Sequence, residues 1–169
     1  MLSEYSLKEF RALIEGSKNP VFVCVGNEFR GDDYVGVYVG RRLKKTKLSR
    51  NVILAYSAPE NFIGEVVKKD PDVVVFLDAV QACQEPGTII FREMEPGRSM
   101  NLSITTHSIP IETVALMISS MSSKNVRFFI LGIQIESIEF AKGLSEPVIS
   151  AARSLLNVFR SLRTPTGFT

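Results

Sequence analysis

The sequence predicts an α/β protein, a three-layer α/β/α sandwich built on a mainly parallel sheet of about five strands. Three observations lead there. Short β-rich apolar runs alternate with segments of helical periodicity along the chain. The run Val73-Val74-Val75-Phe76-Leu77 is apolar at every position, the mark of a strand buried on both faces, as parallel strands are. Finally, 169 residues fit a single domain, 1–169, long enough to bury a real core.

The elements can be justified in order. Residues 2–16 carry Leu7, Phe10, Leu13 and Ile14 at helical spacing, and Gly16 with Pro20 supplies the stop. Strands are expected at 20–25, 51–56, 72–79, 88–93 and 125–133. The stretch after Asp33 is ambiguous, because Val35, Val37 and Val39 alternate like a strand while Val35, Val39 and Leu43 repeat like a helix. Parallel strands need a crossover between them, and basic residues at the far end suit a helix C-terminus, so a helix is assigned. Residues 59–69 place Phe62, Ile63, Val66 and Val67 on one face, and 110–121 do the same with Ile111, Val114, Ala115 and Ile118. Ser145 reads as the N-cap of a last helix, with Pro147 in its first turn and an apolar stripe from Val148 to Phe159. Residues 164–169 read as a frayed tail.

Composition excludes several classes. With 45% hydrophobic and 22% charged residues and a formal charge of +2, the chain is an ordinary globular one. Its basic cluster, Arg41, Arg42, Lys44, Lys45 and Lys47, interleaves with Val39, Leu43 and Leu48, as a solvated helix face does; no nucleic acid is expected. No apolar run approaches the roughly 18 residues that span a bilayer, and the N-terminus has no leader pattern, so a cytoplasmic protein without membrane insertion is expected. Cys24 and Cys83 form no CxxC motif. Cys24, among valines, reads as core, and Cys83 as a loop thiol of structural rather than reactive character.

The chemistry gathers at strand ends. Gly26-Asn27-Glu28-Phe29-Arg30-Gly31-Asp32-Asp33 follows the first strand, where α/β proteins keep their sites. The glycines do not make GxGxxG, and two carboxylates would repel a phosphate at the helix start; the loop suits a cation. Equally, Asp32 and Asp33 can simply cap the next helix. Asp78 closes the apolar strand and must be solvated, paired or ligated, or else anchors the following loop. His107 is the only histidine, and a lone histidine is more often a satisfied residue than a ligand. Jointly, Asp33, Asp78 and His107 can meet on one sheet edge as a mixed N/O site for a borderline divalent transition metal. Thr105, Thr106 and Ser108 are then placed to fix the imidazole tautomer. No GxSxG elbow supports a serine nucleophile.

The ordered set GNEFRGDDYVG, FLDAV and TTHSIP resembles the NiFe-hydrogenase maturation endopeptidases, and most closely the branch serving hydrogenase 3-type large subunits. The likeness runs from about Pro20 to Leu162 and includes Pro59-Glu60-Asn61-Phe62, Leu131-Gly132-Ile133-Gln134 and Leu144-Ser145. It implies an α/β/α fold, a cytosolic monomer with no organic cofactor, and cleavage of the C-terminal extension from the large-subunit precursor. It further implies that Asp33, Asp78 and His107 contact nickel supplied by that precursor, with Asp32 a neighbouring carboxylate able to assist. Glu28-Phe29 and Tyr34 depart from the usual loop, and the helix at 2–16 is an addition. Glu28 is either a further ligand or solvated. Two mechanisms stay open: nickel as Lewis acid with Asp33 or Asp32 as base, or nickel as a positioning clamp. A non-catalytic protein that checks nickel loading of the precursor would use the same three ligands.

Overall fold

The computed structural model describes residues 4–102 and 107–163. Five strands form one sheet: β1 (Pro20–Val25), β2 (Val52–Tyr56), β3 (Val73–Val80), β4 (Ile89–Met94) and β5 (Arg127–Gln134), in the order β2-β1-β3-β5-β4. The first four in that order run parallel, and β4 lies antiparallel along β5 at the edge. The antiparallel sense follows from chain length. The link from Gln81 to Thr88 is too short to hold a crossover helix, so the chain must turn back.

Five helices cover the sheet: α1 (Glu4–Gly16), α2 (Val35–Leu43), α3 (Ile63–Lys68), α4 (Ile111–Met121) and α5 (Glu146–Arg160). Strand alternation sorts the core into two layers. Phe22, Cys24, Val73, Val75 and Leu77 meet α1, α2 and α5, whereas Val21, Val23, Val74, Phe76 and Ile130 meet α3 and α4. Each fully buried Phe, Leu or Ile contributes about 1.5–3 kcal/mol relative to exposure. Phe10 on α1 packs edge-to-face on Phe91 and Phe159, at 5.4 and 5.2 Å between centroids, so the N-terminal helix is a working part of that layer.

Two expectations are refined. Asp32 and Asp33 lie in a one-turn 3-10 helix, Gly31–Tyr34, rather than opening α2 directly, and a second such turn, Pro59–Phe62, precedes α3. Cys24 is buried in the core as expected, and burial pushes its thiol up to about 12. Cys83 is exposed, and neither cysteine is in a disulfide. The expected tail at 164–169 and the start of the first helix lie outside the described residues. Among those described, no helix is long and apolar enough to cross a membrane.

Candidate active site

Two glycines set the turn after β1. At Gly26 the backbone has φ 149°, and a Cβ there would lie 2.1 Å from the carbonyl oxygen of Asp33. At Gly36 a Cβ would meet the carbonyl oxygens of Val25 and Leu77 at 2.2 and 2.3 Å. The chain therefore folds tightly over the ends of β1 and β3. This is the crevice where the strand order reverses, with β2 on one side of β1 and β3 on the other. Asp33 sits in it, 0% exposed.

Alternation delivers Asp78. Val74, Phe76 and Val80 face the α3/α4 layer, so Asp78, near the carboxyl end of β3, points to the same side. There it meets His107, which precedes α4: His107 Nε2 is 3.0 Å from Asp78 Oδ2. The two side chains are 3% and 1% exposed. Asp33, Asp78 and His107 each offer a ligand atom, and these atoms all lie within 4.8 Å of one another. The three residues assembled from distant parts of the sequence are thus brought together.

Burial by itself would lower the His107 pKa. The hydrogen bond to Asp78 and the charges of Asp78, Asp33 and Glu60 outweigh it, so the imidazole is held above its ordinary value. Two buried carboxylates this close repel each other unless a proton or a cation is shared among them. The raised pKa of His107 reflects the same pull of the carboxylates toward positive charge. The donor set of two carboxylates and one imidazole fits a borderline divalent metal equally well.

The neighbours behave differently from the sequence expectations. Asp32, also 0% exposed, directs its carboxylate away from this group: it accepts from the backbone N–H of Glu136, Ser137 and Ser145 and from the Ser145 hydroxyl. It caps no helix and has no idle oxygen with which to take a proton. Ser145 does occupy the N-cap position of α5, but its hydroxyl serves Asp32 instead of the helix. Glu28 pairs with Arg41 at 3.0 Å and does not belong to the group of converging ligand atoms. Asp78 Oδ1 accepts only from Ala79 N–H, and the 81–84 loop is anchored by Gln134, whose Oε1 accepts from Ala82 and Gln84. Thr105 and Thr106 lie outside the described residues. Ser108 donates to Glu60 Oε1 at 3.1 Å.

Glu60 escaped the sequence reading, which used Pro59-Glu60 only as a helix start. Its position on the loop leaving β2, at the same sheet edge as Asp33 and Asp78, was the available signal. On the loops that follow β1 and β5 two aromatics stand out, Phe29 at 60% and Phe140 at 76% exposure. Their loops are joined by the bond from Ala141 N–H to the Phe29 carbonyl oxygen.

Fold and site define the class: an α/β/α protein with a buried, metal-competent carboxylate–imidazole centre at the switch point of its sheet. Comparison with known proteins then places it. The family model HycI, hydrogenase maturation protease, matches residues 37–160, a span holding Asp78 and His107 and starting four residues after Asp33. The chain belongs to the hydrogenase maturation protease family and is a peptidase. It is similar to the hydrogenase 3 maturation protease of Escherichia coli, 26% identical over 136 residues covering 80% of this chain and 85% of that protein. A putative hydrogenase maturation protease of Methanocaldococcus jannaschii is 28% identical over 154 residues, 85% of this chain and 88% of its own. Among solved structures, a NiFe hydrogenase maturation protease of Thermococcus kodakarensis matches with TM-score 0.78 and 27% identity, covering 91% of this chain and 97% of that one.

Proposed function

We propose that this peptidase removes the C-terminal extension of a NiFe-hydrogenase large-subunit precursor once nickel has been inserted, and that it reads the nickel through Asp33, Asp78 and His107. The observation carrying this reading is the convergence of three ligand atoms within 4.8 Å in a buried crevice. Such a cluster discriminates a loaded precursor from an empty one, because only the loaded one brings the charge that the two carboxylates want.

Nickel bound there would act as a Lewis acid towards water or the scissile carbonyl. The remaining work falls to the chain. Asp78 and His107 fix one side of the crevice, and burial strengthens every interaction inside it. With Asp32 committed to the 136–145 loop, Asp33 is the carboxylate for the base role. Phe29 and Phe140 offer the precursor's tail apolar contact beside the crevice.

The test incubates the protein with nickel-loaded and nickel-free precursor and looks for the released C-terminal fragment by mass spectrometry. A fragment from the loaded precursor alone is expected. Equal cleavage of both removes nickel recognition, and no fragment from either sinks the proposal, leaving a loading checkpoint without cleavage as the alternative.

A further inference from the structure

One buried pair near the crevice has no task in that scheme. His107 Nδ1 and Glu60 Oε2 are both shielded from solvent, and neither has a hydrogen-bond partner among the described residues. A buried polar atom left so costs roughly 1–3 kcal/mol, and two such atoms on neighbouring loops call for an explanation. They belong to residues already tied together: Ser108, next to His107 in the chain, donates to the other oxygen of Glu60. The charge of Glu60 is also felt at the imidazole.

The chemistry of a ligating imidazole explains them. Nε2 is the nitrogen that faces Asp78 and the ligand group. A metal binds the lone pair of a neutral imidazole, so a metal on Nε2 requires the single N–H to sit on Nδ1. That N–H is buried and needs an acceptor, and ligating histidines meet this need with a carboxylate or carbonyl behind the ring. The contact of Nε2 with Asp78 Oδ2 calls for a proton on Nε2, and a metal there takes its place, leaving Nδ1–H as the ring's donor.

Resting on the metal reading above, we propose that Glu60 is the positioning residue of His107, accepting the Nδ1–H through Oε2 when a metal occupies Nε2. Ser108 holds the other oxygen and so aims the carboxylate. The tautomer-fixing role expected of Thr105, Thr106 and Ser108 falls to Glu60, with Ser108 acting through it. Pro59 serves the same end by starting the one-turn helix that carries Glu60.

The chain's single histidine makes the test direct. Zinc ion, a diamagnetic probe, is titrated into the full 15N-labelled chain, and the imidazole nitrogens are followed by long-range 15N–1H correlation while affinity is measured by calorimetry. The expected spectrum has zinc on Nε2 and a protonated Nδ1. Glu60→Ala should weaken zinc binding roughly 10-fold or more. Glu60→Gln, which keeps a carbonyl oxygen, should recover most of that loss, and Ser108→Ala should show a smaller one. Backbone spectra of the metal-free variants confirm folding, and if Glu60→Ala fails to fold, the Gln and Ser108 variants decide. Zinc on Nδ1, or affinity within about twofold of wild type in the variants that fold, overturns the role of Glu60 alone. No zinc binding by the wild type, or binding that survives Asp33→Ala and Asp78→Ala, overturns the metal site itself.

Discussion

Both edges of the sheet hold aspartates, and they do opposite things with them. At the amino edge, Asp72 accepts from the Ser17 hydroxyl and from the backbone N–H of Lys18 and Asn19, while Asn51 reaches across to Asn19 and Pro20. Its oxygens are closed by donors from the chain itself. At the carboxyl edge, Asp33 and Asp78 share their space with His107. The same side chain is a clasp where backbone N–H groups converge on it and a candidate ligand where a second carboxylate and an imidazole do. Asp32 shows that the choice is made residue by residue, since it is a clasp one position before a candidate ligand.

The sharpest way to test that contrast is to neutralise each kind of aspartate. Asp33→Asn or Asp78→Asn removes charge from the ligand group. Cleavage of nickel-loaded precursor, followed as fragment release, should fall roughly 100-fold or more, with the melting temperature little changed. Asp32→Ala should do the reverse damage. It strips the acceptor from three backbone N–H groups and a hydroxyl, a loss of roughly 3 kcal/mol. For a domain of this size that lowers the melting temperature by about 6–12 °C in calorimetry. A variant that stays stable but loses zinc binding would erase the distinction between the two neighbours.

Asp72 yields a smaller, pH-dependent effect. Burial would raise its pKa, but the hydrogen bonds from Ser17, Lys18 and Asn19 outweigh it and hold it below the ordinary carboxylate value. Its contribution to stability is therefore present above the unfolded-state pKa and lost as pH falls through the folded one. Urea midpoints of wild type and Asp72→Asn should differ most near neutral pH and converge in strong acid, modestly so because the group is largely solvated. A difference that grew in acid would refute the clasp. The smallest structural effect belongs to Phe29→Ser, whose side chain is mostly in solvent. Melting should be unchanged within about 1 °C, while KM for the precursor rises a few-fold; an unchanged KM removes Phe29 from the docking rim.

Much of this was legible in the chain, for identifiable reasons. The strands and helices declared themselves through apolar runs and helical stripes: β1 at Pro20–Val25 kept its bounds, α4 at Ile111–Met121 moved by one residue, and the helix expected at 59–69 begins four residues later, at Ile63, behind a 3-10 turn. Asp78 was legible because a carboxylate ending Val73–Leu77 has few acceptable fates. The sense of β4 was not read, although the short link before it held the information. Ser145 misled a local rule: the pattern of a helix start was correct, but the hydroxyl's partner is Asp32, too remote in sequence for any motif to show. Glu60 was hidden for a like reason, since its significance lies in Ser108 and His107 on another loop.

The clasp on Asp32 also has a meaning for how the chain acquires activity. The turn that carries Asp33 is closed by donors at Glu136, Ser137 and Ser145, with Asp32 and Ser145 separated by 113 positions. Contacts of such range are slow to form, because the long loop between their partners must be closed first. A chain still emerging from the ribosome, with β1 and β3 already paired, lacks the segment that completes its first loop. The turn that carries Asp33 therefore cannot be closed in this way until the chain has been made through Ser145.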